Sequence, residues 1–391
     1  MIKIKWKGKT LDFESVEWSG TDNQCSRQLT FTVPVNPYDK MFKSYGIALG
    51  DLVKLYSDKK LLFLGTITAR ERTAAVGTAS YTAVDFMQHL LRSTGTYIFR
   101  NTTPEAIAKR LCTELKIKIG SLAKTKIYIK RLIYEEQAIY DIIVGAYRKA
   151  KPQTKKKYMP VMEGSRFSVI EKGLPSSVKL TQGVDITDAS YSDTTDNIIN
   201  KVDIYSDSRV KLGQIENRKS QERYGIYQSQ ITKEKDTDAK KEALALLTGV
   251  TKEASVEALG DVRAISGRSI IISDKATGLK GTFYISSDTH TFSNGVHTMS
   301  LDLSWVNEME SGAEETSDDD KFQKQAITND AVCYYLENSK VYHSTTECSS
   351  CTDKAKKSTV AELKKILVTR GTNKGMRKYR PCAKCWEESS E

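Results

Sequence analysis

Four side chains near the C-terminus have the types and spacing to hold one metal ion: His343, Cys348, Cys382 and Cys385. Cys382-x-x-Cys385 is a knuckle spacing, in which two thiolates reach one ion while backbone N–H groups offset their charge. Tyr342-His343 and Cys348 supply a second pair of donors upstream. Cys351 competes with His343 for the fourth position, and Cys333 reads as a strand residue in Val332-Cys333-Tyr334-Tyr335. Thiolates with an imidazole select a borderline-soft ion, so the expected cofactor is a structural, tetrahedral Zn²⁺. A disulfide-bonded or reduced, metal-free knuckle is the competing reading. No acidic general base stands at a telling spacing, so catalysis by the metal is not expected.

Those donors need elements to hold them. Between the two halves, Thr359-Val360-Ala361-Glu362 is a capping box that opens a helix. Val360, Leu363, Ile366 and Leu367 give that helix an apolar face. So small a unit buries little core, and a metal would supply the missing folding free energy.

The rest of the chain offers little chemistry. The four histidines, His89, His290, His297 and His343, form no His-Glu-x-x-His, and the Gly-x-Ser-x-Gly and phosphate-loop patterns are absent. His290 and His297 flank Asn294-Gly295, a hairpin turn signal, and read as paired-strand residues. Glu135-Glu136 reads as a helix start, where acids favour the dipole. No catalytic residue is assigned, and the chain is not expected to be an enzyme.

Composition bounds the class. Sixty Lys and Arg against 49 Asp and Glu give 391 residues a net charge of +11, which permits an acidic partner without demanding one. Of seven cysteines, five fall from Cys333 onward, unlike the even spread of a disulfide-stabilised secreted protein. Cys25 and Cys112 read as ordinary semi-buried thiols. The longest apolar runs are too short to span a membrane, and Met1-Ile2-Lys3-Ile4-Lys5 lacks a secretory core. Synthesis and folding in a cytoplasm are expected.

Along the chain the hydrophobic period changes several times. Residues 1–97 alternate as short strands, among them Gln28 to Val33, Asp51 to Tyr56, Leu61 to Ile67 and Tyr81 to Asp85. Residues 98–195 form an insertion with helices. Thr103-Pro104-Glu105 starts the first, and the second, from Ala138, ends before Lys151-Pro152. Residues 196–307 return to strands around a helix at 236–249. Residues 308–330 carry the acidic run Glu314 to Asp320 and read as a solvated linker. Residues 331–391 are the metal module. The fold class is mainly β with helical insertions (α+β).

The order of several stretches resembles the baseplate hub proteins of contractile phage tails and phage-tail-like bacteriocins, the XkdQ/YqbQ-like family. They are Val16-Glu17-Trp18-Ser19-Gly20, Gly50-Asp51-Leu52-Val53-Lys54-Leu55, Leu62-Phe63-Leu64-Gly65-Thr66-Ile67, Phe99 to Pro104, Ile199-Asn200-Lys201-Val202, Tyr224 to Gln228 and His290 to Leu303. The resemblance implies two small β-barrel domains per subunit and a homotrimer presenting a pseudo-six-fold ring. It implies a hexameric tail tube protein, a central spike, other baseplate proteins and a tape-measure protein as partners, in the tail baseplate of a phage or phage-tail-like particle. The C-terminal unit resembles small Tyr-His-x4-Cys…Pro-Cys-x-x-Cys modules and is similar to the metal-binding part of the Ada DNA-repair protein. The Ada type uses four cysteines and a tighter first pair, so its thiol chemistry is not carried over.

Two other classes compete. Lys155-Lys156-Lys157 and Arg377-Lys378-Tyr379-Arg380 would suit a nucleic-acid-binding zinc protein, but lysine runs are more often solvated faces. A cell-wall-binding or peptidoglycan-hydrolysing tail protein would use the metal module as its site.

Overall fold

The computed structural model describes residues 1–72, 77–234, 238–313, 327–346, 348, 351, 354–368, 376–382 and 386. They fall into two compact units. One comprises Met1–Gly95, Asn101–Ile129 and Gln137–Ala313. The other comprises Thr96–Arg100, Lys130–Glu136 and the chain from Glu314 onward.

The first unit is built on a 13-stranded sheet. From one edge its strands are Ile186–Thr194, Thr251–Leu259, Val296–Ser304, Lys280–Ser293, Ser15–Thr21, Gln28–Val35, Gly77–Asp85, Lys60–Arg72, Leu52–Ser57, Ile2–Trp6 and Lys9–Leu11. Ser269–Ser273 pairs with Lys280–Ser293 and carries Pro175–Thr181 beside it in parallel. Side chains alternate along each strand, so one face collects the apolar residues. In the N-terminal half Ile4, Trp6, Trp18, Phe31, Val53, Leu55, Phe63 and Tyr81 gather into one core that also takes in Phe292. The second half builds its own core from Leu180, Val256, Ile270, Ile272, Ile285, Met299 and Leu301.

Two closed barrels are not found among the described residues, which corrects the expectation of barrel domains. The outermost strands, Ile186–Thr194 and Lys9–Leu11, lie at opposite ends of one open path. The reason lies in the 14-residue strand Lys280–Ser293. Its residues 287–293 pair with Ser15–Thr21, so two strand edges that could have closed separate halves are used to join them. Sheet membership also crosses residue 195, because Pro175–Thr181 and Ile186–Thr194 pair with strands from the second half.

Charged side chains are buried at this seam. Arg27 donates through Nη1 to Asp288 Oδ1 at 3.0 Å and through Nη2 to Oδ2. Its guanidinium lies 3.9 Å from the Trp18 ring centre. Asp288 also accepts from the Ser266 N–H at 2.6 Å. Burial pushes the Asp288 carboxyl up, but the charge and hydrogen bonds of Arg27 outweigh it and hold it below the ordinary carboxylate range.

The helices lie outside the large sheet. Pro104–Glu114 begins as expected, with Thr103 Oγ1 accepting from the Ala106 N–H at 3.4 Å. The second helix, Ile139–Thr154, runs past Pro152 and stops at left-handed Lys155. Pro152 forfeits the N–H bond to the Arg148 carbonyl, and because it lies in the last turn only two further residues follow that break in the ladder. Glu135 and Glu136 lie within the preceding strand, Ile129–Ala138, and are not at a helix start. The helix expected at 236–249 is shorter, Ala239–Leu246. It covers the small sheet of Lys201–Tyr205, Lys211–Glu216 and Gln228–Thr232.

Residues 307–313 do not behave as a linker. Asn307 Nδ2 donates to the Lys172 carbonyl at 2.9 Å. Met309 is buried, and Glu310 accepts from the Gln24 N–H at 2.7 Å and from the Tyr140 hydroxyl. The Ala313 N–H donates to the Asp141 carbonyl at 2.8 Å. This strap is anchored to the second helix. The acidic run Glu314 to Asp320 lies outside the described residues.

Candidate metal centre

The C-terminal module is a four-stranded sheet ordered Lys356–Thr359, Val332–Tyr335, Val341–His343 and Arg380–Pro381. Its register assembles the site. Tyr342 pairs with Pro381 in parallel, which sets the next residues, His343 and Cys382, side by side. The Cys382 N–H donates to the Tyr342 carbonyl at 2.9 Å. Cys348 follows His343 after a short loop, and its carbonyl accepts from the Cys351 N–H at 2.8 Å. The Cys382 carbonyl accepts from the Trp386 N–H at 3.1 Å.

The ligand atoms of His343, Cys348 and Cys382 all lie within 4.8 Å of one another, and all three residues are buried. Cys351 is not one of the three. Cys333 is a buried strand residue. Cys385 lies outside the described residues.

These residues fit a tetrahedral thiophilic ion. Cys348 Sγ and Cys382 Sγ are 3.9 Å apart. A tetrahedron with metal–sulfur bonds of about 2.3 Å has an edge of about 3.8 Å. A disulfide would need about 2.05 Å. Among the described residues the three donors are one nitrogen and two sulfurs, a set that suits a borderline-soft ion better than Ca²⁺ or Mg²⁺.

Apolar packing frames the centre. Val360, Leu363, Tyr379, Tyr342 and Trp386 form one cluster with the cysteines. Trp386 is 1% exposed and meets Tyr342 edge-on at 5.7 Å. The capping box is present, with Thr359 and Glu362 exchanging hydrogen bonds. The helix it opens spans only Val360–Lys364, so Ile366 and Leu367 fall beyond it and are 37% and 48% exposed.

The other histidine pair serves the fold. His290 and His297 lie on paired strands around the Asn294-Gly295 turn, both turn residues with positive φ. His290 Nε2 faces the Ala264 carbonyl at 3.0 Å and must carry the proton. Its Nδ1 then accepts from His297 Nε2–H at 3.0 Å. Cys25 and Cys112 are buried, and burial pushes both thiols up to about 12.

The mainly β fold of this chain is similar to that of solved phage tail proteins. The chain is similar to the 43 kDa tail protein of prophage MuSo2 from Shewanella oneidensis, with a TM-score of 0.60, 13% identity, and coverage of 77% of this chain and 97% of that one. It is similar to a tail protein from Neisseria meningitidis MC58, with a TM-score of 0.57, 14% identity, and coverage of 77% and 95%. In sequence, the YQBQ-like family matches residues 16–304, and the chain belongs to that family. The phage-like element PBSX protein XkdQ of Bacillus subtilis is 28% identical over 310 residues, 76% of this chain and 94% of the relative. The family match ends before the metal centre. No helix among the described residues is long and apolar enough to cross a membrane.

Proposed function

We propose that this protein is a structural component of a phage-type tail baseplate, a homotrimeric hub joining a hexameric tail tube to a three-fold central spike. The observation that carries this reading is the pairing of Ser15–Thr21 with Lys280–Ser293. It joins two half-sheets, each with its own core, into one sheet. Three such subunits would offer six half-sheets to a six-fold tube and a three-fold face to a spike. Membership of the family that includes XkdQ supports the same reading. The role is mechanical, with other baseplate proteins and a tape-measure protein as further partners, in a phage or phage-tail-like bacteriocin. His343, Cys348 and Cys382, with Cys385 as the fourth ligand, would hold a structural Zn²⁺ that staples residues 331–391 at the distal end. The ion's chemistry there is to fix donors from distant parts of the chain. Sedimentation and native mass of the purified protein, with tube-protein binding, test the hub. A trimer that binds tube is expected, and a monomer at micromolar concentration with no tube binding overturns it.

A further inference from the structure

The C-terminal module has a charge and shape that the metal does not explain. Over residues 327–386, twelve Lys and Arg face five Asp and Glu. One side of the module is a groove of about 700 Å³. Its walls are the turn at Glu337 to Lys340 and two short arms, 366–368 and 376–378. The arms are tied by the Val368 N–H to the Met376 carbonyl and the Lys378 N–H to the Ile366 carbonyl, both at 2.9 Å. Ile366, Leu367 and Met376 line it, 37%, 48% and 62% exposed. Lys340, Arg377 and Lys378 stand around these aliphatic side chains. Among the described residues none of the three is in a salt bridge, whereas Glu337, the one acid on the rim, is paired with Lys356 at 2.5 Å.

We infer that this groove docks an acidic peptide segment of a partner protein, one that carries aliphatic side chains between its carboxylates. Cations around an apolar floor match both parts of such a segment. A nucleic acid fits less well. Sequence-tolerant binding of single strands relies on aromatic stacking, and none of the described residues lining the groove is aromatic. The chain's own acidic run, Glu314-Glu315-Thr316-Ser317-Asp318-Asp319-Asp320, has no aliphatic side chain for the floor. The inference rests on the stapled module of the proposed function but uses none of its ligands.

The full chain is titrated at low salt with a fluorescent peptide of alternating Glu and Leu. An all-Glu peptide, a peptide copy of residues 314–320 and a single-stranded oligonucleotide are run in parallel. Metal content is measured on every sample. The Glu/Leu peptide should bind at least about tenfold more tightly than the others. Arg377→Glu and Leu367→Ser should each weaken it about tenfold or more with metal content unchanged. Absence of binding by the metal-loaded wild type overturns the inference while leaving the staple intact. So does equal or tighter binding of the oligonucleotide or the 314–320 peptide, or indifference to both substitutions. Wild-type protein without metal or a folded module would instead count against the staple.

Discussion

Arg27 and Asp288 meet in a two-bond ion pair across 261 residues of sequence, at the seam where the two half-sheets join. Both are buried, Asp288 completely. A buried charge left alone costs far more than the intact pair contributes. Arg27→Met or Asp288→Leu alone should therefore lower stability by about 3–5 kcal/mol. The double substitution should recover most of that loss, because no charge is then stranded. Urea unfolding of the four proteins checks the cycle. Additive losses would show that the residues act separately.

His297 makes the same region acid-sensitive. Burial, with His290 beside it, pulls its imidazole down from 6.5 to about 4. Between those values the unfolded chain binds a proton that the folded chain refuses. The contribution is therefore whole above about pH 6.5, eroded as pH falls, and gone below about 4. Asp85 runs the other way. Burial pushes its carboxyl from 3.8 up to about 6, so its contribution is whole below 3.8 and is lost as pH rises through 6. Comparison with His297→Asn isolates the histidine. Between pH 6.5 and 4 the wild type should lose stability more steeply than the variant, and parallel curves would refute the assignment.

The strap from Asn307 to Ala313 depends on a glycine. Gly312 has φ +66°, and a Cβ there would lie 2.3 Å from the Gly145 backbone nitrogen. Gly312→Ala should lift the strap at a cost of about 1–3 kcal/mol. Amide exchange at Ala313, whose N–H bonds the Asp141 carbonyl, reads this directly. Faster exchange there, with the seam strands still protected, is the expected result.

Local signals were legible in the sequence because their physics is local. Thr103-Pro104, the Thr359–Glu362 box and the Asn294-Gly295 turn each act within four residues and stand where expected. The His/Cys cluster was legible because paired spacings constrain geometry directly, and the ligand atoms of His343, Cys348 and Cys382 lie within 4.8 Å of one another. Long-range pairing was not. Nothing in Ser15–Thr21 names Lys280–Ser293 as its neighbour, since any alternating strand offers the same edge. The strap was missed for a related reason. Asn307, Glu310 and Gly312 read as linker residues until the helix they bind is in place.

The metal centre yields the sharpest separation of residues. His343, Cys348 and Cys382 converge, whereas Cys351 does not join them. Purified wild-type protein should carry one equivalent of zinc. Cys348→Ser and Cys382→Ser should each lose it, and Cys351→Ser should keep it. Ligand loss in so small a unit is also loss of folding free energy, because the unfolded module offers no preformed site. Cys385→Ala, or a strong chelator, should therefore abolish amide protection at Tyr342 and Val360, both buried in the module's core. If the proposed hub is a trimer built by residues 1–306, that trimer should persist under the same treatment. Zinc retained in Cys382→Ser would refute the centre. A trimer that dissociates with the metal would show that the module helps to hold the hub together and is more than an appendage to it.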